Sequence, residues 1–359
     1  VDALMAQTQF LLAPAGECRH KSAMQKTIRR AVFGCALAVV GAVTCLAAEN
    51  PFLGYWELTV PSGGAGWLGV EERGGGLQAS ILWEAGSVVP VNSAKVEGDK
   101  LVLTREHSYT KKDAAGKEVK KTLIETITAT TDGNKLSLVT SKQRENGGED
   151  KASFTGKRTP PMPKAPDLAK LRFATPIQLF SGKDLSGWRL VNPKAVNGWS
   201  AKDGMLVCSA IQEEGKPHKN YGNLRTDREF EDFNLKLEFR VPENGNSGIY
   251  LRGIYEVQVA DSFGQAPDSH RVGGLYSRIT PTANAAKRAG EWQTMDITLA
   301  DRHVTVILNG QKVIDNKPVL GCTGGALWSD VSRPGPIYLQ GDHTSMEYRN
   351  IMLAPRIKD

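Results

Sequence analysis

The sequence predicts an all-β chain, a C-terminal jelly-roll sandwich preceded by a smaller antiparallel β-barrel domain. Three observations lead there. Short segments alternate apolar and polar residues on both sides of residue 160, the two-residue period of a half-buried strand. Clusters of glycine, asparagine and aspartate separate these segments, and 37 of the 359 residues are glycine. Helical periodicity is nearly absent, with residues 283–288 the one stretch expected to make a short turn of helix.

The first 48 residues stand apart. Met24 opens a possible start, which makes residues 1–23 a mis-assigned upstream extension. Lys26, Arg29 and Arg30 precede an apolar run that ends at the small residues Ala47 and Ala48, the pattern of a secretory signal peptide. The protein is therefore expected to be exported, to the periplasm or beyond the cell. No later apolar run is long enough to span a bilayer, so no transmembrane segment is expected in the mature protein. Residues 1–48 hold five of the 45 basic and two of the 39 acidic residues, which leaves a net charge of +3. That excess is too small to support nucleic-acid binding. Cys18, Cys35 and Cys45 fall in the same segment; Cys208 and Cys322 remain, and their spacing does not decide whether they pair.

Residues 49–158 read as the barrel. Strands are expected at 54–60, 66–70, 77–83, 100–105, 122–130, 135–140 and 152–156, joined by turns at 74–76, 97–99 and 131–134. Even spacing without helices suits an up-and-down barrel or a sandwich. The Gly54-x-Trp56 pair resembles the entry strand of lipocalin-like barrels; a core tryptophan after a turn is the alternative. Four prolines between residues 159 and 166 cannot join a sheet ladder, so 159–175 is expected to be a stiff linker. Residues 176–359 resume the strand pattern at 234–241, 248–252, 255–260, 293–299, 303–308, 311–314, 337–340 and 346–352. Asn309-Gly310 predicts a type I′ hairpin turn.

Several chemistries are unsupported: there is no Gly-x-Ser-x-Gly elbow, no P-loop and no His-Glu-x-x-His. One hairpin is dense in polar groups: Asn246, Tyr250, Arg252, Glu256, Gln258 and Asp261. Positions two apart share a face, so Tyr250 goes with Arg252 and Glu256 with Gln258, while Val257 and Val259 point to the core. A second cluster, Gln340, His343 and Arg349, lies near the C-terminus. His343 offers an imidazole that titrates near neutrality, suited to acid–base work. His270 and His303 lack such neighbours in sequence and read as structural or exposed. Glu256, Gln258, Asp261 and His343 together offer donors to a divalent metal, while the absence of a close His pair or Cys cluster argues against a structural zinc site. Trp188, Trp199, Trp292 and Trp328 suit sugar stacking or the core equally.

The ordered motifs Leu179–Trp188, Asn246-Ser-Gly-Ile-Tyr-Leu-Arg252, Tyr255-Glu-Val-Gln258, Gly274-Leu-Tyr276, Glu291-Trp292, Asn309-Gly310, Leu339-Gln-Gly-Asp-His343 and Tyr348-Arg-Asn-Ile351 resemble the 3-keto-disaccharide hydrolase domain family. The resemblance covers residues 176–355 and implies a concanavalin A-like jelly roll whose partner is a carbohydrate. It implies an exported hydrolase, or a lyase, acting on 3-keto-glycosides. A ketone at C3 acidifies the C2 hydrogen; its loss gives an enolate that expels the glycosidic oxygen, and water addition completes hydrolysis. Glu256 or His343 would serve as base, and Arg252 or a metal ion would stabilise the enolate. Asn246, Tyr250, Gln258, Asp261, Tyr276, Gln340 and Arg349 would contact substrate. Direct displacement by paired carboxylates stays open on the residues alone, and so does a non-catalytic carbohydrate-binding role. The motifs all lie beyond the linker, so the barrel is expected to be dispensable for chemistry.

Overall fold

Alternation of apolar and polar residues folds the chain into two antiparallel β bodies that pack on each other. The structure is a computed structural model and describes residues 50–113 and 116–358. The signal-peptide reading and Cys18, Cys35 and Cys45 lie outside the described residues. Among the described residues no helix is long and apolar enough to cross a membrane.

The first body comprises β1 (Gly54–Thr59), β2 (Ala65–Arg73), β3 (Gly76–Trp83), β4 (Val89–Pro90), β5 (Ser93–Glu97), β6 (Lys100–Lys112), β7 (Glu118–Thr131), β8 (Lys135–Arg144) and β9 (Gly148–Arg158), in the sheet order 4-3-2-1-9-8-7-6-5. The two end strands are consecutive, and the bend between them closes the sheet. The Val91 N–H donates to the Ala79 carbonyl on β3, and the Asn92 N–H to the Thr104 carbonyl on β6. The two-residue β4 is too short to show a period, and β5 alternates but is almost wholly exposed with only Ala94 and Val96 apolar, which is why the sequence missed both. Trp56, Leu58, Leu68, Ile81, Leu103 and Ile127 fill the interior. Trp56 donates its indole N–H to the Phe52 carbonyl, and Arg158 lies over its ring.

The second body is a two-sheet jelly roll. The larger sheet holds β13 (Trp199–Lys202), β14 (Met205–Cys208), β23 (Met346–Ile357), β16 (Phe233–Arg240), β19 (Gln293–Ala300), β20 (His303–Leu308) and β21 (Gln311–Pro318) in that order, with β10 (Arg172–Phe173) and β11 (Ile177–Gln178) also pairing β23. The smaller sheet is β12 (Trp188–Leu190), β15 (Leu224–Thr226), β22 (Tyr338–Leu339), β17 (Asn246–Leu251) and β18 (Tyr255–Ala260). Leu235, Leu237 and Phe239 of β16 face Ile249, Val257 and Val259 across the core. Asn309 and Gly310 both have positive φ, as a type I′ turn requires.

Residues 283–288 form no helix. The Asn284 amide donates to the carbonyls of Ser262 and Gln265, and its oxygen accepts from the Ala286 N–H, so side-chain bonds take the place of helical ones. Cys208 and Cys322 are free, buried and separately placed. Burial pushes their thiols up to about 12 and about 11.

The two bodies share a core. Trp67 of β2 is buried with Leu82 among the jelly-roll residues and donates its indole N–H to the Leu320 carbonyl. Arg278 covers its ring at 4.1 Å, and a Cβ on Gly321 would collide with it. The proline-rich stretch is fastened down: Arg302 donates to the carbonyls of Pro160 and Pro161, and Asn316 to that of Pro166. Trp67→Ala is expected to cost about 3–5 kcal/mol and to separate the melting of the barrel from that of the jelly roll in calorimetry. A single transition at the wild-type temperature would contradict this account of the seam.

Candidate active site

Three neighbouring strands of the smaller sheet set out a polar floor in two rows. Cross-strand register places Tyr338 of β22, Tyr250 of β17 and Glu256 of β18 side by side. Gly248 stands opposite Gln258 in the next row, and the Gln340 N–H donates to the Gly248 carbonyl. Alternation sends Val257 and Val259 into the core and leaves Glu256 and Gln258 on the outer face. The result is a cleft of about 180 Å³ lined by Asn246, Tyr250, Glu256, Gln258, Tyr276, Gln340 and His343. Asn223, Tyr338, Gly324, Gly325 and Asp342 complete the jelly-roll side, and Ala85 and Gly86 arrive from the barrel.

Glu256 dominates the electrostatics. It is only 3 % exposed, and burial pushes its carboxyl up to about 8, against opposing effects of a Tyr250 hydrogen bond and the nearby His343 charge. Proton counting points the same way. The Tyr250 hydroxyl lies 2.7 Å from the Gly324 carbonyl oxygen and 2.9 Å from Glu256 Oε2. Its single proton faces two acceptors, and when it goes to the carbonyl the Glu256 contact needs the carboxyl's own proton. Tyr338 stacks on Tyr250 at 3.8 Å and donates to the Gly325 carbonyl. A Cβ on Gly248 would collide with Glu256 Oε1, so this glycine makes room for the acid. His343 is half-exposed; its hydrogen bond with Asp342, 3.2 Å away, raises its pKa, partly offset by burial.

Gln258 donates to Asn246 Oδ1 at 2.7 Å, while Gln258 Oε1 and Gln340 Oε1 are buried with no protein donor. Two orphaned acceptors in a polar cleft suit a ligand rich in hydroxyl donors. A divalent ion here would draw on Glu256, His343 and these amide oxygens. Among the described residues no three His, Cys, Asp or Glu side chains group as metal ligands.

Three residues expected at the site lie elsewhere. Arg252 follows the end of β17 with φ of 55°, and the hairpin turn breaks the alternation that would have set it beside Tyr250. Its guanidinium is buried and donates to the carbonyls of Val331 and Arg333, holding that loop. Asp261 caps the hairpin, accepting from the Asn244 N–H, and is outside the cleft lining. Arg349 alternates with the core residue Tyr348, so it emerges on the outer face of the larger sheet, paired with Glu238 and lying over Trp292. None of Trp188, Trp199, Trp292 and Trp328 lines the cleft; its aromatic residues are Tyr250, Tyr276 and Tyr338. Tyr338 and Asp342 were missed, though Tyr338 stands two positions before Gln340 and so shares its face. Ala85 and Gly86 had no local signal, and their presence makes the barrel part of the cleft.

An antiparallel jelly roll with a polar cleft on its smaller sheet is a concanavalin A-like β-sandwich. Residues 175–354 match the 3-keto-alpha-glucoside-1,2-lyase-like domain, and the chain belongs to that family. It is similar to a 3-keto-disaccharide hydrolase of Bacteroides thetaiotaomicron, 26 % identical over 167 residues, with 39 % of this chain and 57 % of the relative covered. The match thus spans little more than half the relative's length. Among solved structures, a protein assigned as a glycosyl hydrolase from Parabacteroides distasonis aligns with 33 % identity and a TM-score of 0.40, covering 50 % of this chain and 83 % of that one. A β-1,3-1,4-glucanase (lichenase) from a mouse hindgut metagenome aligns with 11 % identity and a TM-score of 0.33, covering 51 % and 98 %.

The buried carboxyl makes stability depend on pH in a definite direction. Its folded pKa, about 8, stands above the unfolded 4.5, so the folded state holds the extra proton between these values. The contribution is full below the unfolded value and is lost as pH rises through the folded one. Glu256→Gln, which cannot ionise, is expected to gain about 3–4 kcal/mol relative to the wild type between pH 5 and pH 8. Denaturant melts at both pH values check this; a constant difference would mean that Glu256 ionises normally in the folded state.

Proposed function

We propose that the cleft cleaves the glycosidic bond of 3-keto-glycosides by elimination, with hydration of the product giving net hydrolysis. The observation that carries this reading is Glu256: a buried carboxyl that keeps its proton near neutrality, beside an imidazole–carboxylate pair, on a floor of hydroxyl-accepting amides. Family membership supports the substrate class. Neutral His343, oriented by Asp342, takes the C2 proton that the C3 ketone has acidified. The C1–C2 double bond forms as the C1–O bond breaks, and the departing oxygen receives the proton of Glu256. Gln258 and Gln340 accept from sugar hydroxyls. Arg252 has no part in this scheme, because its guanidinium is committed to the 331–333 loop. Export by the 24–48 segment belongs to the same proposal, and appearance of the full chain in a cell's exported fraction tests it.

Incubation with a 3-keto-glycoside and its unoxidised parent tests the chemistry. Release of the aglycone from the ketone alone is expected. Binding of both without cleavage would instead favour a carbohydrate-binding role. Glu256→Gln should lower kcat by about 10²–10⁴-fold in a protein that still folds, and normal turnover in that variant would remove the acid assignment. The pH profile should be bell-shaped: rate rises as His343 loses its proton and falls as pH passes about 8, the two limbs belonging to the coupled pair. Rate that climbs steadily through pH 9 would make Glu256 a base rather than an acid.

A further inference from the structure

We propose that the barrel loop 84–88, between β3 and β4, is the specificity wall of the cleft and limits what it admits beyond a single sugar ring. This rests on the glycoside-cleaving reading above. The family match covers residues 175–354 and leaves the barrel out, yet Ala85 and Gly86 line the cleft.

Four contacts hold the loop there. The Gly325 N–H donates to the Glu84 carbonyl at 3.0 Å. The Val88 N–H donates to Ser277 Oγ at 2.8 Å. Ser87 Oγ lies 2.8 Å from His270 Nε2, and His270 Nδ1 lies 2.8 Å from Asp268 Oδ1. Gly86 approaches Gly324 backbone to backbone, so closely that a Cβ on Gly324 would overlap the Gly86 carbonyl. Glu84 and Gly86 both take positive φ, 64° and 84°. For glutamate that conformation is uncommon and is held by its surroundings.

Ser87, His270 and Asp268 stand in the order of a hydrolase triad. Ser87 and His270, however, belong to different β bodies, and the His270 ring packs edge-on against Tyr276, a cleft residue, at 4.7 Å. The trio therefore works as a clasp across the seam: Ser87 and His270 are positioning residues, and the wall they position is Ala85 and Gly86. A wall fixed on one side of a cleft of about 180 Å³ suits a terminal 3-keto ring with a short leaving group and disfavours a long one.

The experiment compares kcat/KM of the full chain for a methyl 3-keto-glucoside with that for a 3-keto-glucoside whose leaving group is a trisaccharide. Ala85→Trp, at an exposed position, narrows the cleft and should raise the preference for the methyl glycoside by about tenfold. The double change Ser87→Ala with His270→Ala frees the loop and should lower that preference by about tenfold, mainly through KM for the long substrate. Ser87→Thr keeps the hydroxyl and should hold the wild-type ratio. If Ala85→Trp fails to fold, the double variant carries the test. Ratios equal to wild type in folded variants would overturn the proposal while the glycosidase reading stands. A wild type inactive on both ketones would overturn that reading, and this proposal with it.

Discussion

The structure around the cleft depends on one constraint: a carboxyl is buried there with no cation bonded to it. The barrel shows the opposite solution. Glu125 is buried too, and burial alone would raise it, but hydrogen bonds from Thr140 and His107 and the charge of Arg105 outweigh that and hold it below the usual carboxylate range. Glu256 has a tyrosine where Glu125 has a guanidinium. Each pKa unit corresponds to about 1.4 kcal/mol, so ionising Glu256 in place costs several times that, and the fold keeps the proton instead. The same residue type is a structural anchor in one body and a stored proton in the other.

Keeping a neutral acid in one geometry takes several other residues. Gly248 must lack a side chain, or Glu256 Oε1 loses its place. Tyr250 must reach both the Gly324 carbonyl and Glu256 Oε2, or the carboxyl loses this partner. Tyr338, stacked on Tyr250 and bonded to the Gly325 carbonyl, fixes the ring that does so. The Gly324–Gly325 backbone in turn leans on the barrel, through the Glu84 carbonyl and the Gly86 contact. The acid is therefore linked to the barrel by a short chain of bonds through backbone amides, so the barrel, expected from motif positions to be dispensable for chemistry, touches the backbone that holds the acid.

Much of this was legible in the sequence, for a physical reason. Strands of five or more residues with one buried face carry the two-residue period, so the long strands of both bodies were read correctly. The two-residue strand β4 and the short β12–β15 have too few residues to show a period, and β5 has no buried face to give its alternation weight. The alternation also placed Glu256 and Gln258 on one face with the valines opposite. It failed at Arg252 because the rule ends where the strand ends, and a residue in a left-handed turn conformation points wherever the turn takes it. Arg349 was misplaced for another reason: alternation fixes which residues share a face but not which face looks onto the cleft. Ala85 and Gly86 were out of reach altogether, since a contact between residues more than two hundred positions apart leaves no local trace.

The displacement of Arg252 changes what the proposed chemistry asks of the remaining groups. With the guanidinium in the cleft, a developing enolate would meet a fixed positive charge. Without it, stabilisation falls to neutral donors and to the His343 imidazole, which becomes cationic as it takes the C2 proton. Glu256 has one proton, so it cannot serve the enolate oxygen and the leaving oxygen at once. Under the elimination scheme the leaving oxygen takes it, and the enolate is left with the new imidazolium and the side-chain amides of Asn246 and Gln340. In a cleft of low effective dielectric such neutral donors gain strength, and an imidazolium beside a carboxylate formed in the same step leaves the site with no net change of charge. A cleft in which one group takes a proton from the substrate as another gives one to it balances its own charge, which is consistent with Arg252 serving the 331–333 loop.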